Sequence, residues 1–241
     1  MQIIPLQLKK EISSSDDISK LILESSKIND GDIIVVAQKI VSKQEGQIVN
    51  LSELTPSLLA EGIASQYQKD PRIIELILSE TKRIVRMNNG IIIVETNNGL
   101  ICANAGVDES NVKEGYATTL PINSDKSART IRNKIKEKTG KNIAVIISDT
   151  FGRPFRMGQT NCAIGISGLN PILDYEGTKD TFGKVLRVTE IAVADELSSA
   201  AELIMGKILK CPIAIIRDYS FNPGEHLIDD LIRPENEDLF R

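Results

Sequence analysis

The chain has 241 residues, 41% hydrophobic and 26% charged, with 29 basic and 33 acidic side chains and a formal net charge of −4. That size and mix support a sizeable core, arranged as one large domain or two small ones, and exclude bulk disorder. The acidic balance argues against nucleic-acid phosphates or an anionic membrane as partner, and 4% aromatics without tryptophan argue against base-stacking platforms.

Ser13-Ser14-Ser15-Asp16-Asp17 reads as a loop capping a helix from Asp17 to Ser26. Asn29 to Asp32 is a turn, and the β-branched run Ile33 to Ala37 is a buried strand. Two helices follow, about Ser57 to Gln68 and Pro71 to Arg86, the second with Ile73, Ile74, Ile77 and Leu78 at helical spacing. Ile91 to Glu95 and Leu100 to Ala103 flank Thr96-Asn97-Asn98-Gly99 as a hairpin. Ser124 to Thr139 is a basic helix stopped by Gly140, and Asn142 to Ser148 a second buried strand. Ala163 to Ser167 is a short strand, Thr189 to Met205 an amphipathic helix and Pro212 to Arg217 a last strand. The fold class is mixed α/β (α+β), with mixed sheets, hairpins and flanking helices. Residues 1–241 read as a single domain, with two lobes as the alternative, and 222–241 as an acidic C-terminal tail.

Cys102, Cys162 and Cys211 lie far apart, and His226 is the only histidine. Spacing of this kind suits reduced thiols in a cytoplasmic protein and excludes a Cys/His zinc site, so any metal needs oxygen ligands. No apolar run reaches the ~20 residues of a spanning helix, and Met1 to Lys10 has no signal-peptide core. P-loop, dinucleotide and nucleophile-elbow patterns are absent.

Three segments carry candidate chemistry. Ser148-Asp149-Thr150-Phe151-Gly152-Arg153 follows a predicted strand, where α/β proteins bind ligands, and sets a carboxylate beside a hydroxyl as hard donors for magnesium or manganese. Asn104-Ala105-Gly106-Val107-Asp108-Glu109-Ser110-Asn111 offers a second carboxylate, because one carboxylate seldom holds magnesium tightly. Gln38-Lys39-Ile40-Val41-Ser42-Lys43 places two lysines four apart at a strand's end, suited to a triphosphate. Each segment also has a plain alternative: a capped polar loop, an Asx-turn and a pair of solvated lysines.

In this order the segments resemble the coenzyme F420-0:L-glutamate ligase family, the F420 γ-glutamyl ligases. Gly31 to Val36 with Ser42 to Gly46, Asn104 to Asp108 with Ser110 to Val112, Ser148 to Arg153, Ala163 to Gly168 and Ala194-Asp195-Glu196 carry the likeness from Pro5 to about Arg217. The resemblance implies a GTP-dependent ligase joining L-glutamate to a deazaflavin F420 precursor, then extending a γ-linked chain, through an acyl phosphate. Carried over by position, Asp149, Lys43 and Asp108 are catalytic. Asp108, Asp149 and Thr150 hold two divalent ions, Mg2+ or Mn2+, with K+ a further candidate. Lys9, Lys10, Glu11, Ile12, Gln38, Lys39, Lys43, Asn111, Met205, Gly206 and Lys207 meet GTP, although a protonated lysine at 207 cannot ligate a metal. The resemblance also implies a homodimer. A related amide ligase with another carboxylate acceptor, and a GTP-binding regulatory module without turnover, remain alternatives.

Overall fold

The computed structural model describes residues 1–8 and 10–239. In chain order the elements are β1 (Gln2–Leu6), α1 (Ile18–Ser25), β2 (Ile33–Ala37), α2 (Gln38–Gln44), β3 (Ile48–Asn50), α3 (Leu58–Tyr67), α4 (Pro71–Ser79), β4 (Thr81–Asn88) and β5 (Ile91–Thr96). They continue with β6 (Ile101–Ala103), β7 (Tyr116–Thr118), α5 (Ser124–Thr139), β8 (Ala144–Arg153), β9 (Arg156–Ser167), β10 (Leu173–Asp174), β11 (Glu190–Ile191), α6 (Val193–Met205) and β12 (Ile213–Arg217). Short 3-10 turns lie between several of them. The fold is mixed α and β, as its sequence pattern predicts.

The main sheet has five strands in the order β1-β12-β2-β8-β9. Only β2 and β8 run parallel, Ile33 opposite Ala144 through Ala37 opposite Ser148; the other pairs are antiparallel. β2 and the first half of β8 are unbroken apolar runs because both faces of the sheet are covered. α5, with α1 beside it, and α6 pack onto this sheet. Gly165 permits the tightest of these contacts, since a Cβ there would sit 2.4 Å from the Ser124 backbone. Asp17 caps α1 by accepting from the Ser19 N–H at 2.9 Å, and Gly140 ends α5 at φ +69°.

A second core forms apart from the first. α3 and α4 bury Ile63, Ile74 and Ile77 against Ile92 and Val94 of the three-stranded sheet β4-β5-β6. β3 and β7 pair separately as a short ribbon. Cys102 of β6 is buried where β6 meets β8, so the two cores adjoin at the strand that carries Asp149.

Four predicted elements differ from the observed ones. The second helix ends at Ser79, not Arg86, and Thr81–Asn88 is a strand paired with β5. Thr81, Ile84 and Val85 are β-branched, and cross-strand pairing outweighs continuation of the helical spacing. The strand expected to stop at Ser148 runs on to Arg153, and the short strand at 163–167 extends back to Arg156; a two-residue turn, Pro154-Phe155, joins them. The last long helix starts at Val193 instead of Thr189, because Glu190 and Ile191 pair with Asp174 and Leu173.

Candidate functional site

Asp108, Asp149, Thr150, Lys39 and Lys207 of the predicted metal and nucleotide residues gather where the two cores adjoin. β8 outruns β2, whose pairing ends at Ala37 opposite Ser148. From Asp149 onward β8 is therefore held only by β9, Asp149 opposite Cys162 and Thr150 opposite Asn161. The first candidate segment is thus a strand edge, not a loop, and strand alternation sends Asp149 and Thr150 to opposite faces.

Asp149 is half-buried, and among the described residues no ion pair and no hydrogen bond from another side chain involves its carboxylate, which accepts only from the Thr150 N–H. Desolvation pushes its pKa up to about 6. The Thr150 N–H and the Lys207 charge oppose that rise, Asp108 adds to it, and Lys39 opposes it again. Asp108 and Asp149 therefore share one electrostatic neighbourhood, although they come from separate segments.

The Asp108 loop leaves the second core through the 3-10 turn Asn104–Gly106, with Asn104 and Ala105 both at φ +53°. Asp108 is pinned by its backbone, which exchanges hydrogen bonds with Thr118 at 3.0 and 2.9 Å. Its carboxylate accepts from the Ser110 N–H at 2.7 Å and pairs with the Lys39 ammonium. Lys39 also donates to the Ser110 carbonyl at 2.9 Å and the Ser110 hydroxyl at 2.6 Å. Burial raises the Asp108 pKa, but Lys39 and Ser110 together outweigh it and leave the value lowered.

α2 begins as β2 ends, which turns Lys39 and Lys43 toward this loop. Gln38 is spent on structure, donating to Ser42 Oγ at 2.6 Å and to the Thr119 carbonyl at 3.1 Å. Lys43 is only 6% exposed and donates at 2.6 Å to both Glu11 Oε1 and the Asn111 carbonyl. Its hydrogen bond holds the Glu11 carboxyl below the usual range. Glu11, Ile12, Lys43, Ile48, Val112, Lys113 and Tyr116 line a cavity of about 210 Å³, with the Lys113 ammonium 6.0 Å from the Tyr116 ring centre.

On the other side of Asp149, Met205 is buried in the main core, and Gly206 turns the chain at the end of α6 with φ +56°. That turn aims Lys207 at Thr150, whose hydroxyl it contacts, and at Glu202 Oε1, 3.3 Å away. Lys10 is exposed and pairs with Asp16. Lys9, predicted to meet nucleotide, lies outside the described residues.

The donor set is oxygen throughout: two carboxylates and a hydroxyl. Among the described residues no cluster of three or more His, Cys, Asp or Glu could hold a metal, so an ion here would complete its shell with water or phosphate oxygens. Asp149 is desolvated, has no ion-pair partner and feels the Asp108 charge, so these two carboxylates are the ones that could hold a divalent cation. Sequence reasoning missed Asn161 and Glu202, which contact Thr150 and Lys207 directly or through each other. Pro154, with Gly152 and Gly158 on either side, was the local sign of the turn in the hairpin that brings Asn161 opposite Thr150.

Residues 8–218 match the family profile described as F420-0:Gamma-glutamyl ligase. The chain is 46% identical over 241 residues to a coenzyme F420:L-glutamate ligase of Methanothermobacter thermautotrophicus, covering 95% of this chain and 94% of the relative. It is 41% identical to the protein of that name from Methanopyrus kandleri, covering 100% and 98%. The relative of that name from Methanocaldococcus jannaschii is 46% identical over 93% of this chain and 90% of its own length.

Proposed function

The chain belongs to the F420-0:gamma-glutamyl ligase family, and from that membership and the site geometry we propose a GTP-dependent ligase that adds L-glutamate to the coenzyme F420 precursor. The bond it makes is of peptide type. Its coarse activity follows from the family; the nucleotide, the metal and the acyl phosphate are our reading. The observation that carries them is the electrostatic coupling of Asp149 to Asp108, with Lys39 and Lys207 acting on Asp149 and Lys43 holding the Asn111 carbonyl of the Asp108 loop.

An amide cannot form from a bare carboxylate at useful rates, so the acceptor must be activated. The acceptor carboxylate oxygen attacks the γ-phosphorus of GTP, the bond to the β–γ bridging oxygen breaks, and GDP leaves. The glutamate amine then attacks the acyl carbon, loses a proton, and expels phosphate. Such transfer asks a protein chiefly for alignment and charge neutralisation. Asp108 and Asp149 would hold one Mg2+ or Mn2+, which when bound supplies positive charge at the terminal phosphates.

Lys43 is buried and pre-aimed, and its Glu11 partner is largely exposed, so phosphate oxygens can replace that carboxylate at little cost. The neighbouring cavity is large enough for a purine base and offers Ile12, Ile48 and Val112 as apolar walls. Among the described residues no cluster of acidic side chains singles out a place for K+. β8 and β9 form an arm beyond the main sheet with Met157 96% exposed near its tip, which supports a homodimer built on the arm. No helix is long and apolar enough to cross a membrane among the described residues.

The test is turnover of purified protein with the deazaflavin precursor, L-glutamate and Mn2+, comparing GTP with ATP. GTP-specific amide formation that is lost in Asp149→Asn supports the proposal. GTP binding without phosphate release when both substrates are present would favour a regulatory module instead, and turnover only with another acceptor would move the substrate assignment.

A further inference from the structure

Thr150, Asn161, Glu202 and Lys207 close a hydrogen-bonded ring. The Thr150 hydroxyl donates to Asn161 Oδ1 at 2.6 Å, and Asn161 Nδ2 donates to Glu202 Oε2 at 3.2 Å. Glu202 Oε1 pairs with the Lys207 ammonium at 3.3 Å, and Lys207 returns to the Thr150 hydroxyl. Three backbone elements fix the ring: β8, β9 across the hairpin, and the last turns of α6 with the residues after it. A further bond, from Ser199 Oγ to the Asn161 carbonyl at 2.8 Å, ties β9 to α6 at this point.

The position is chosen for a cation. It lies just past the C-terminus of a 13-residue helix, where the backbone dipoles favour positive charge. Glu202 faces it from the same helix, and the Asp149 carboxylate lies close enough to feel it. A lysine already sits there. A divalent ion brought against the Thr150 hydroxyl would meet that ammonium at contact distance, with the repulsion doubled by its charge.

We infer that the Lys207 ammonium is a resident cation of the nucleotide site, taking the place beside Thr150 that a second divalent ion would need. The inference rests on the nucleotide reading above. The protein then works with one divalent ion, between Asp108 and Asp149, and Lys207 neutralises the remaining phosphate charge on the Thr150 side. Lys39 differs, since it sits on Asp108 itself and must yield part of that carboxylate when an ion enters.

The experiment counts metal and does not need turnover. Free Mn2+ is followed by electron paramagnetic resonance during titration of the full chain saturated with guanylyl imidodiphosphate. Wild type is expected to bind one Mn2+ per chain. Lys207→Gln, which supplies an oxygen donor and frees Thr150 and Glu202, is expected to bind two, and Lys207→Arg one. Lys207 is largely exposed, so these variants should fold, as circular dichroism will show. Two ions in wild type, or one in both wild type and Lys207→Gln, overturns the inference while leaving the nucleotide reading standing. An Asp149→Asn variant that binds as many ions as wild type, or a wild type that binds none, instead removes the carboxylate site and the inference with it.

Discussion

Replacing Asp149 by asparagine should stabilise the ligand-free protein above neutrality while removing a ligand of the proposed metal site. The carboxyl is displaced from its ordinary value of 3.8 to about 6, chiefly by desolvation. The folded state therefore binds this proton more tightly than the unfolded chain does. Between those two values the native protein holds more protons, so stability falls as pH rises through the window, and it stays lowered above 6. A shift of about two units at ~1.4 kcal/mol each makes the ionised carboxylate cost about 3 kcal/mol at pH 8. Asparagine keeps the shape and the hydrogen bond from the Thr150 N–H without the charge. For a chain of this length that corresponds to a rise in Tm of roughly 6–12 °C at pH 8. The gain should shrink as pH falls below 6 and disappear near 3.8. Thermal unfolding of both proteins across pH 4 to 8 without metal measures it. A variant no more stable than wild type at pH 8, or a gain independent of pH, would refute the claim that Asp149 is a desolvated charge waiting for a cation.

Lys43→Ala removes a charged hydrogen-bond donor worth about 1.5–3 kcal/mol to a phosphate, so the KM for GTP should rise by roughly 10- to 150-fold in steady-state titrations; an unchanged KM would reduce Lys43 to a tie between Glu11 and the Asn111 loop. Gly165→Ala forces a methyl into the Ser124 backbone and should lower stability by about 1–3 kcal/mol in urea unfolding, whereas Gly177→Ala, with open space around it but φ +77°, should cost less. Glu95, held at about 2 by Lys82 and then Arg83, contributes stability above its ordinary value of 4.5 that is lost as pH falls toward 2. Glu95→Gln should therefore lower Tm at pH 7 and flatten the acid limb of the Tm profile, and an unaltered acid limb would show the two ion pairs to be inert.

The elements that could be read from the residues are those whose signals are local. β2 announces itself by Ile33 to Ala37, and α5 by Asn123 before it and Gly140 after it. The strand β4 was hidden because Ile84 and Val85 continue the helical spacing of α4, and only pairing with β5 ends the helix at Ser79. Likewise the long β8–β9 hairpin depends on pairing between Asp149 and Cys162 and their neighbours, which no window of sequence displays. The candidate site shows the same division. Asp108, Asp149 and Lys43 carry family motifs and were placed by resemblance, and the fold brings them to one region. Asn161 and Glu202 carry no motif; they matter because a hairpin and a helix end meet there. The sequence marked Lys207 as unable to ligate a metal, but it gave no hint that Lys207 would contact the Thr150 hydroxyl or that Lys39 would pair with Asp108.

Oxygen transfer tests the central claim, that the acceptor carboxylate is activated by a phosphoryl group from GTP within this site. The deazaflavin precursor is labelled with 18O in its carboxylate and turned over with GTP, Mn2+ and L-glutamate, and the released phosphate is analysed by mass spectrometry. One 18O per phosphate for each amide formed is the predicted result. Amide formation with unlabelled phosphate, or with cleavage of GTP elsewhere than at the γ-phosphorus, would contradict it.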